Sequence, residues 1–185
     1  MRLFIALNFP ERVRRAVWES AAAVRDLGLP VRWVPPDAMH LTLKFLAEVP
    51  DAREPDLKTA LRRAGQGAKP LPLSLGGFGV FPDFQRPRVI WLGIEPDPAL
   101  ELLQHRVEAE FSPLGFPPEG RPFRPHLTLG RPERDARPRD FAALERSLAE
   151  IDHRETVLVE SLELMRSVPQ GGGVVYQVRH SERLP

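Results

Sequence analysis

The tetrapeptide His40-Leu41-Thr42-Leu43 occurs a second time as His126-Leu127-Thr128-Leu129, 86 residues further along the chain (126 − 40). The same spacing relates further pairs outside the tetrapeptides: Phe4 with Ile90, Ile5 with Trp91, Pro10 with Pro96, Glu11 with Asp97 and Pro36 with Pro122. A period this long exceeds that of a solenoid repeat. The sequence therefore predicts two copies of a strand-helix-strand-helix-strand lobe, related by a pseudo-twofold axis, with equivalent residues facing each other across a cleft.

The hydrophobic pattern supplies the other elements of each copy. Amphipathic segments predict four helices, at about Pro10–Gly28, Pro55–Ala64, Asp97–Phe111 and Asp140–Ile151. Short runs of β-branched or aromatic residues predict strands at Leu3–Leu7, Val89–Ile94 and Thr156–Met165. The three glycines at 171–173 predict a hairpin between strands at Leu162–Val168 and Val174–Val178, and the stretch Gly79–Arg88 predicts a turn back towards Val89.

The composition excludes several classes of protein. A hydrophobic content of 42% over 185 residues is too high for a disordered chain. No apolar run approaches the ~20 residues of a membrane helix, and the first residues do not read as a signal peptide. With no cysteine, disulfides, thiol catalysis and thiolate zinc sites are excluded. We therefore expect a soluble, cytoplasmic protein, and the sequence implies neither a membrane nor an obligate protein partner.

Positive and negative charges are nearly equal in number, and almost all of the positive charges are on arginines. There are 26 Lys+Arg against 25 Asp+Glu, which argues against a protein that coats nucleic acid by bulk attraction. All but three of the basic residues are arginines, whose forked guanidinium groups bind phosphate oxygens in pairs. Between residues 121 and 139 six arginines accompany two acidic residues. This stretch is either a guide for a polyanion or an ordinary charged loop.

Within each tetrapeptide, alternate residues share one face of an extended strand. His40 and Thr42 therefore share a face, with Leu41 and Leu43 packed behind them, and the second copy repeats the arrangement. Two imidazoles on opposite sides of a phosphorus atom can take a proton from a nucleophile and give one to the leaving group. Threonine hydroxyls can donate hydrogen bonds to the non-bridging oxygens. The pattern predicts attack by water on a phosphodiester, in particular a strained cyclic one, without a metal.

A single His-x-Thr strand usually has only a structural role, but a duplicated pair favours function. With its surroundings, the pair resembles the two-histidine (2H) phosphoesterase superfamily. The stretches that carry the resemblance are Arg2–Leu7, His40–Leu46, Arg86–Gly93 and Pro125–Arg131. They look like those of the bacterial and archaeal RNA 2′,3′-cyclic phosphodiesterases, historically called 2′-5′ RNA ligases, and the resemblance covers essentially the whole chain.

The resemblance implies an α+β fold of two pseudo-twofold-related lobes, each an antiparallel sheet with helices on its outer face, around a central groove. Residues 1–185 would form one bilobal domain, with the two motifs in the approximate halves 1–86 and 87–185. It also implies hydrolysis of an RNA 3′-terminal 2′,3′-cyclic phosphate to a 2′-phosphate without metal or cofactor. His40 would be the proton donor to the departing 3′-oxygen, and His126 the proton acceptor that activates water. The repeat alone makes the two histidines equivalent.

Further residues have two interpretations each. Arg131 either clamps the phosphate beside Thr42 and Thr128 or is a solvated loop arginine. Phe45, at odd spacing from His40, is expected to point into the core rather than to stack on a base. Three rings in proline-rich loops either stack on a nucleobase or fill their own loops: Phe81, Phe84 and Phe123.

The substrate class also has alternatives. We expect RNA 3′ ends or small cyclic-phosphate nucleotides. The same groups would also serve a 2′-5′ RNA ligase, by microscopic reversibility, or a non-catalytic module that binds RNA ends. Two histidines without a carboxylate in either motif make a poor site for a divalent metal.

Overall fold

The duplicated tetrapeptides form the two central strands of a nine-stranded antiparallel sheet. The structure, a computed structural model, describes residues 1–185. The strands are β1 (Arg2–Asn8), β2 (Val31–Trp33), β3 (His40–Glu48), β4 (Leu71–Phe81), β5 (Val89–Ile94), β6 (His126–Pro132), β7 (Arg154–Val159), β8 (Ser161–Gln170) and β9 (Gly173–Arg183). The helices are α1 (Glu11–Ser20), α2 (Ala22–Arg25), α3 (Glu54–Gly65), α4 (Pro98–Phe111) and α5 (Leu144–Ala149).

The strand order divides the sheet into two lobes. The order is β7-β4-β5-β6-β3-β1-β8-β9, and β2 pairs separately with β6. We call β3, β1, β8 and β9 lobe 1, and β6, β5, β4 and β7 lobe 2. The predicted α+β fold with two pseudo-twofold-related lobes is confirmed. The two sheets are continuous, because Leu41 of β3 pairs with Leu127 of β6.

The two lobes exchange strands between the halves of the sequence. Strand β4 belongs to the first half of the chain but pairs with β5 and β7 in lobe 2. Strands β8 and β9 belong to the second half, and β8 pairs with β1 in lobe 1. Each lobe therefore contains strands from both halves, which fixes the two lobes against each other.

The helices cover the outer side of the sheet and enclose the core. Helix α3 packs against α4, β8 and β9, whereas α5 packs against β4 and α2. Leu41, Leu43, Leu127 and Leu129 are all buried in one core that runs through both lobes. None of the five helices combines the length and apolar composition that crossing a bilayer requires. The core side of β3 and β6 is therefore fixed by leucines, and the opposite side faces the groove.

Several of the predicted helices and strands are longer than the observed ones. The first helix is interrupted at Ala21 and ends at Arg25, and Leu27, expected on its buried face, is 45% exposed. The predicted strand Thr156–Met165 is two strands separated by Glu160, because β7 pairs with β4 while β8 pairs with β1. The fourth helix is reduced to α5, preceded by a 3-10 turn at Pro138–Phe141. The third begins as predicted, with Asp97 Oδ1 accepting the N–H groups of Ala99 and Leu100.

A β-bulge in β3 changes which side chains face the groove. Ile5 of β1 pairs with Lys44 while Ala6 pairs with Thr42, so Leu43 is an extra residue on β3. An extra residue shifts the alternation of side chains by one position. Lys44 is consequently buried, with 2% exposure, and Phe45 is 58% exposed. The prediction that Phe45 points into the core is wrong, because strict alternation ends at the bulge.

Strand β6 carries the equivalent bulge. Ile90 of β5 pairs with Gly130 and Trp91 with Thr128, which leaves Leu129 as the extra residue. Gly130 is buried, and a Cβ atom there would lie only 2.7 Å from Cγ1 of Val31. The following residue, Arg131, is exposed and lines the groove. Lys44 and Gly130 are therefore equivalent positions, as are Phe45 and Arg131.

Candidate active site

A groove of about 2040 Å³ lies between the lobes and contains the five candidate site residues predicted from the sequence. His40 and Thr42 come from β3, and His126, Thr128 and Arg131 come from β6. The groove is larger than the ~300–1,000 Å³ of most small-molecule sites. It forms at this place because both central strands direct their leucines into the core and their polar residues to the opposite side.

Both histidines are fixed in the same way by the backbone. Nδ1–H of His40 donates to the carbonyl oxygen of Ala38 at 2.8 Å, and Nδ1–H of His126 donates to that of Arg124 at 2.6 Å. In each case the acceptor lies two residues before the histidine. A proton held on Nδ1 leaves Nε2 of the neutral ring as the acceptor. The two imidazoles therefore present the same nitrogen for chemistry.

His40 lies in an aromatic environment on the lobe 1 side. Its ring centroid is 4.9 Å from that of Phe4 and 4.9 Å from that of Tyr176, which meets it edge-on. The Thr42 hydroxyl donates to Nε2 over 3.0 Å. The pKa of His40 is lowered to about 4, mainly by burial; the hydrogen bond to Ala38 opposes this shift, and the nearby charges of His126 and Arg131 contribute to it. His40 is therefore neutral at pH 7 in the unliganded protein.

His126 has a smaller aromatic contact on the lobe 2 side. The Phe81 ring meets it edge-on at 5.1 Å between centroids, and the Arg124 guanidinium lies 5.8 Å from the Phe81 centroid. Burial lowers the pKa of His126, the bond to the Arg124 carbonyl opposes this, and the charge of Arg131 adds to the lowering. The pKa values of the two histidines are therefore both lowered, and burial is the principal reason for each.

Arg131 is the cationic group shared by the two histidines. Its charge lowers the pKa of both His40 and His126, so it is within electrostatic reach of both rings. It forms no salt bridge with any carboxylate. A guanidinium without a partner beside two imidazoles is suited to binding an anion. The bulge after Thr128 is what directs Arg131 into the groove.

Aromatic residues of the groove were only partly anticipated. Of the three rings predicted to lie in loops, Phe81 ends β4 and lines the groove. Phe123 lines the groove and packs against the core, whereas Phe84 only packs against the core. Phe45 and Tyr176 also line it, and neither was expected there. Tyr176 is the only tyrosine in the chain, but its contact with His40 depends on the pairing of β9 with β8 and β8 with β1. The glycine run predicts the β8–β9 hairpin, but no local pattern encodes the pairing of β8 with β1.

Potential metal ligands do not cluster in this protein. No group of three or more His, Cys, Asp or Glu side chains is placed to hold a metal ion. The groups that converge in the groove are instead two imidazoles, two hydroxyls and one guanidinium. They can accept one proton, donate another and stabilise negative charge between them. These groups are suited to chemistry at a phosphoester.

Known proteins with the same sequence and structural features fall in one family. The family model of the 2′-5′ RNA ligase superfamily matches residues 10–170. A Methanothermobacter thermautotrophicus relative named RNA 2′,3′-cyclic phosphodiesterase is 32% identical over 178 residues, which is 95% of each chain. A Thermus thermophilus relative of the same name is 37% identical over 139 residues, 71% of this chain and 68% of its own.

Solved structures give the same result. A Thermus thermophilus protein matches with a TM-score of 0.79 and 32% identity, over 100% of this chain and 98% of its own. E. coli LigT, complexed with 3′-AMP, matches with a TM-score of 0.76 and 28% identity, over 99% and 97%. The chain therefore belongs to the 2′-5′ RNA ligase superfamily of two-histidine phosphoesterases. It is an enzyme of the phosphodiesterase class, as the sequence predicts.

Proposed function

We propose that this protein hydrolyses the 2′,3′-cyclic phosphate at an RNA 3′ end to a 2′-phosphate, leaving a free 3′-hydroxyl. The observation that carries the proposal is that His40 and His126, with identical Nδ1 bonding, line one groove together with Arg131. Relatives that are named RNA 2′,3′-cyclic phosphodiesterase support the choice of substrate. The reaction needs two proton transfers at one phosphorus, and the groove offers one imidazole for each.

The proposed reaction is an in-line displacement by water. Nε2 of His126 takes a proton from the water molecule while the water oxygen attacks phosphorus. His40 donates a proton to O3′ as the P–O3′ bond breaks. One histidine gains a proton and the other loses one, so exchange with solvent restores the starting state. The hydroxyls of Thr42 and Thr128 and the guanidinium of Arg131 donate to the non-bridging oxygens, where negative charge increases.

The role of His40 as proton donor requires its pKa to rise when substrate binds. In the unliganded protein the pKa of His40 is about 4, which leaves the ring neutral at pH 7. A bound phosphodiester brings a negative charge between the imidazoles and Arg131, and an opposite charge at this range raises the pKa of a histidine. Burial then favours loss of the proton to the leaving oxygen, because it destabilises the charged ring. The donor is therefore formed in the complex.

Phe45 gives the groove a surface for the terminal nucleobase. The residue is 58% exposed and lines the groove. Its ring centroid lies 6.2 Å from that of Phe4, which in turn contacts His40. Stacking of a base on an exposed ring contributes ~1–3 kcal/mol and tolerates every base. The nucleoside would then lie on the lobe 1 side, with its phosphate directed towards Arg131.

The test uses an RNA oligomer that ends in a 2′,3′-cyclic phosphate, incubated with a chelator present. We expect the wild-type protein to form a terminal 2′-phosphate, identified by ³¹P NMR. His40→Ala and His126→Ala should each lower kcat about 10²–10⁴-fold. The matched control is His180→Ala, because His180 is bonded to Glu182 and does not line the groove.

Other outcomes would overturn the proposal. A 3′-phosphate product, or undiminished turnover in both groove variants, would show that the chemistry lies elsewhere. A joined product after addition of RNA with a 5′-hydroxyl would favour the ligase reaction. Binding of the oligomer without turnover would favour a non-catalytic module.

A further inference from the structure

We infer that the lobe 2 side of the groove binds backbone phosphates of nucleotides that precede the terminal one, so that the site is built for oligonucleotides. This inference rests on the proposed function. It concerns four arginines, which we call the arginine wall: Arg86, Arg88, Arg121 and Arg124. All four are exposed and line the groove, and none forms a salt bridge.

The arginine wall borders the candidate reaction centre. Two loops supply it, one between β4 and β5 and one between α4 and β6, and they meet at Phe81. The N–H of Arg88 donates to the Phe81 carbonyl at 2.7 Å, and the Arg124 guanidinium lies 5.8 Å from the Phe81 ring. The same ring contacts His126. The two loops that carry the arginines therefore meet beside the candidate catalytic histidine.

The loop between β4 and β5 is held in shape by its own hydrogen bonds. Oδ1 of Asp83 accepts the backbone N–H groups of Gln85 and Arg86, each over 2.9 Å. The Asp83 carboxylate is thus engaged with the backbone, and it forms no salt bridge with the arginines beside it. The positive charge of the wall remains available to an external anion.

The size and charge of the groove both exceed what one nucleotide requires. Its volume of about 2040 Å³ is at least twice that of a typical small-molecule site. The formal net charge of the whole chain is only +1. The four wall arginines and Arg131 nevertheless line this groove without a carboxylate partner, an arrangement that suits the neutralisation of nucleic acid phosphates. Lobe 1 presents three rings, those of Phe4, Phe45 and Tyr176, and a single arginine, Arg2, so it suits bases more than phosphates.

The arginine-rich stretch between residues 121 and 139 contains its own control. Arg121, Arg124 and Arg131 line the groove, whereas Arg134, Arg137 and Arg139 do not. Removing two arginines from either group changes the net charge equally. Only removal from the groove should affect a ligand that lies along the wall.

The experiment compares a nucleoside 2′,3′-cyclic phosphate with a tetranucleotide that ends in the same group, at several salt concentrations. For the wild type we expect a higher kcat/KM with the tetranucleotide, and one that falls more steeply with salt. Arg86→Ala combined with Arg121→Ala should lower kcat/KM for the tetranucleotide about tenfold and reduce its salt slope by about 1–2. Turnover of the mononucleotide should stay within about twofold. Arg134→Ala combined with Arg139→Ala should behave as wild type.

Two outcomes would overturn the inference: equal salt slopes for both substrates in the wild type, or equal losses in the two double variants. Fluorescence anisotropy with product oligonucleotides ending in a 2′-phosphate provides the same comparison without turnover. If neither substrate is turned over, the proposed function fails. The anisotropy measurements then still show whether the arginine wall binds oligonucleotide phosphates. If both are turned over without a length preference, only the arginine wall fails.

Discussion

The two motif strands carry the same bulge at equivalent positions, with a leucine as the extra residue in each, but they differ in the two residues that follow. In β3 the bulge buries Lys44 and turns Phe45 into the groove. In β6 it buries Gly130 and turns Arg131 into the groove. The duplication thus preserves two equivalent imidazoles, while one groove residue per strand makes the two sides chemically different. We infer that this difference adds to the contrast between an aromatic side for the base and a cationic side for the phosphate, to which the other rings of lobe 1 and the arginine wall also contribute.

Lys44, the residue that the bulge in β3 buries, gives the largest expected effect, which is on stability. Lys44 Nζ donates to Glu108 and to the Pro117 carbonyl at 2.9 Å, and Glu108 is only 8% exposed. Lys44→Ala leaves that carboxylate buried without its cation, so we expect the free energy of unfolding to fall by about 3–5 kcal/mol. Denaturant unfolding measures this loss. Lys44→Met combined with Glu108→Leu should recover most of it, and a fully stable Lys44→Ala variant would contradict the importance of the ion pair.

Arg131 tests the cationic side of the comparison. Arg131→Ala removes the guanidinium that would stabilise charge on the non-bridging oxygens, and we expect kcat to fall about 10²–10³-fold. Steady-state kinetics on the cyclic-phosphate oligomer gives this value. Arg134→Ala, which removes the same charge outside the groove, is the control. An equal loss in both variants would mean that Arg131 acts only through the net charge of the protein and not by contact with the phosphate.

Phe45 tests the aromatic side and should have a smaller effect. Phe45→Ala removes the proposed stacking surface, worth ~1–3 kcal/mol, so KM should rise about tenfold with little change in kcat. Phe45→Tyr, which keeps a ring, should restore the wild-type KM. If Phe45→Ala lowers kcat and leaves KM unchanged, the ring acts on the histidines rather than on the base.

The sequence predicts the frame of the molecule better than the details of its groove. The repeated tetrapeptides predict the central strands and their polar face because strand alternation is a local property. Strand alternation does not predict the position of Phe45. Phe45 faces the groove because Lys44 before it is buried, and that burial depends on Glu108, 64 residues away. The environment of His40 depends likewise on Tyr176, brought in by strand pairing. Only the three-dimensional structure separates Arg121 and Arg124 from the arginines outside the groove.

The central claim is that one bound phosphate lies between two imidazoles. NMR titration of His40 and His126, without and with a nucleoside 2′-monophosphate, tests it most directly. Without ligand we expect the pKa of His40 at about 4 and that of His126 below its ordinary value, because burial disfavours both charged rings. Binding should raise both pKa values, since an anion favours the protonated form of each ring. A rise confined to one histidine, or to neither, would contradict the account.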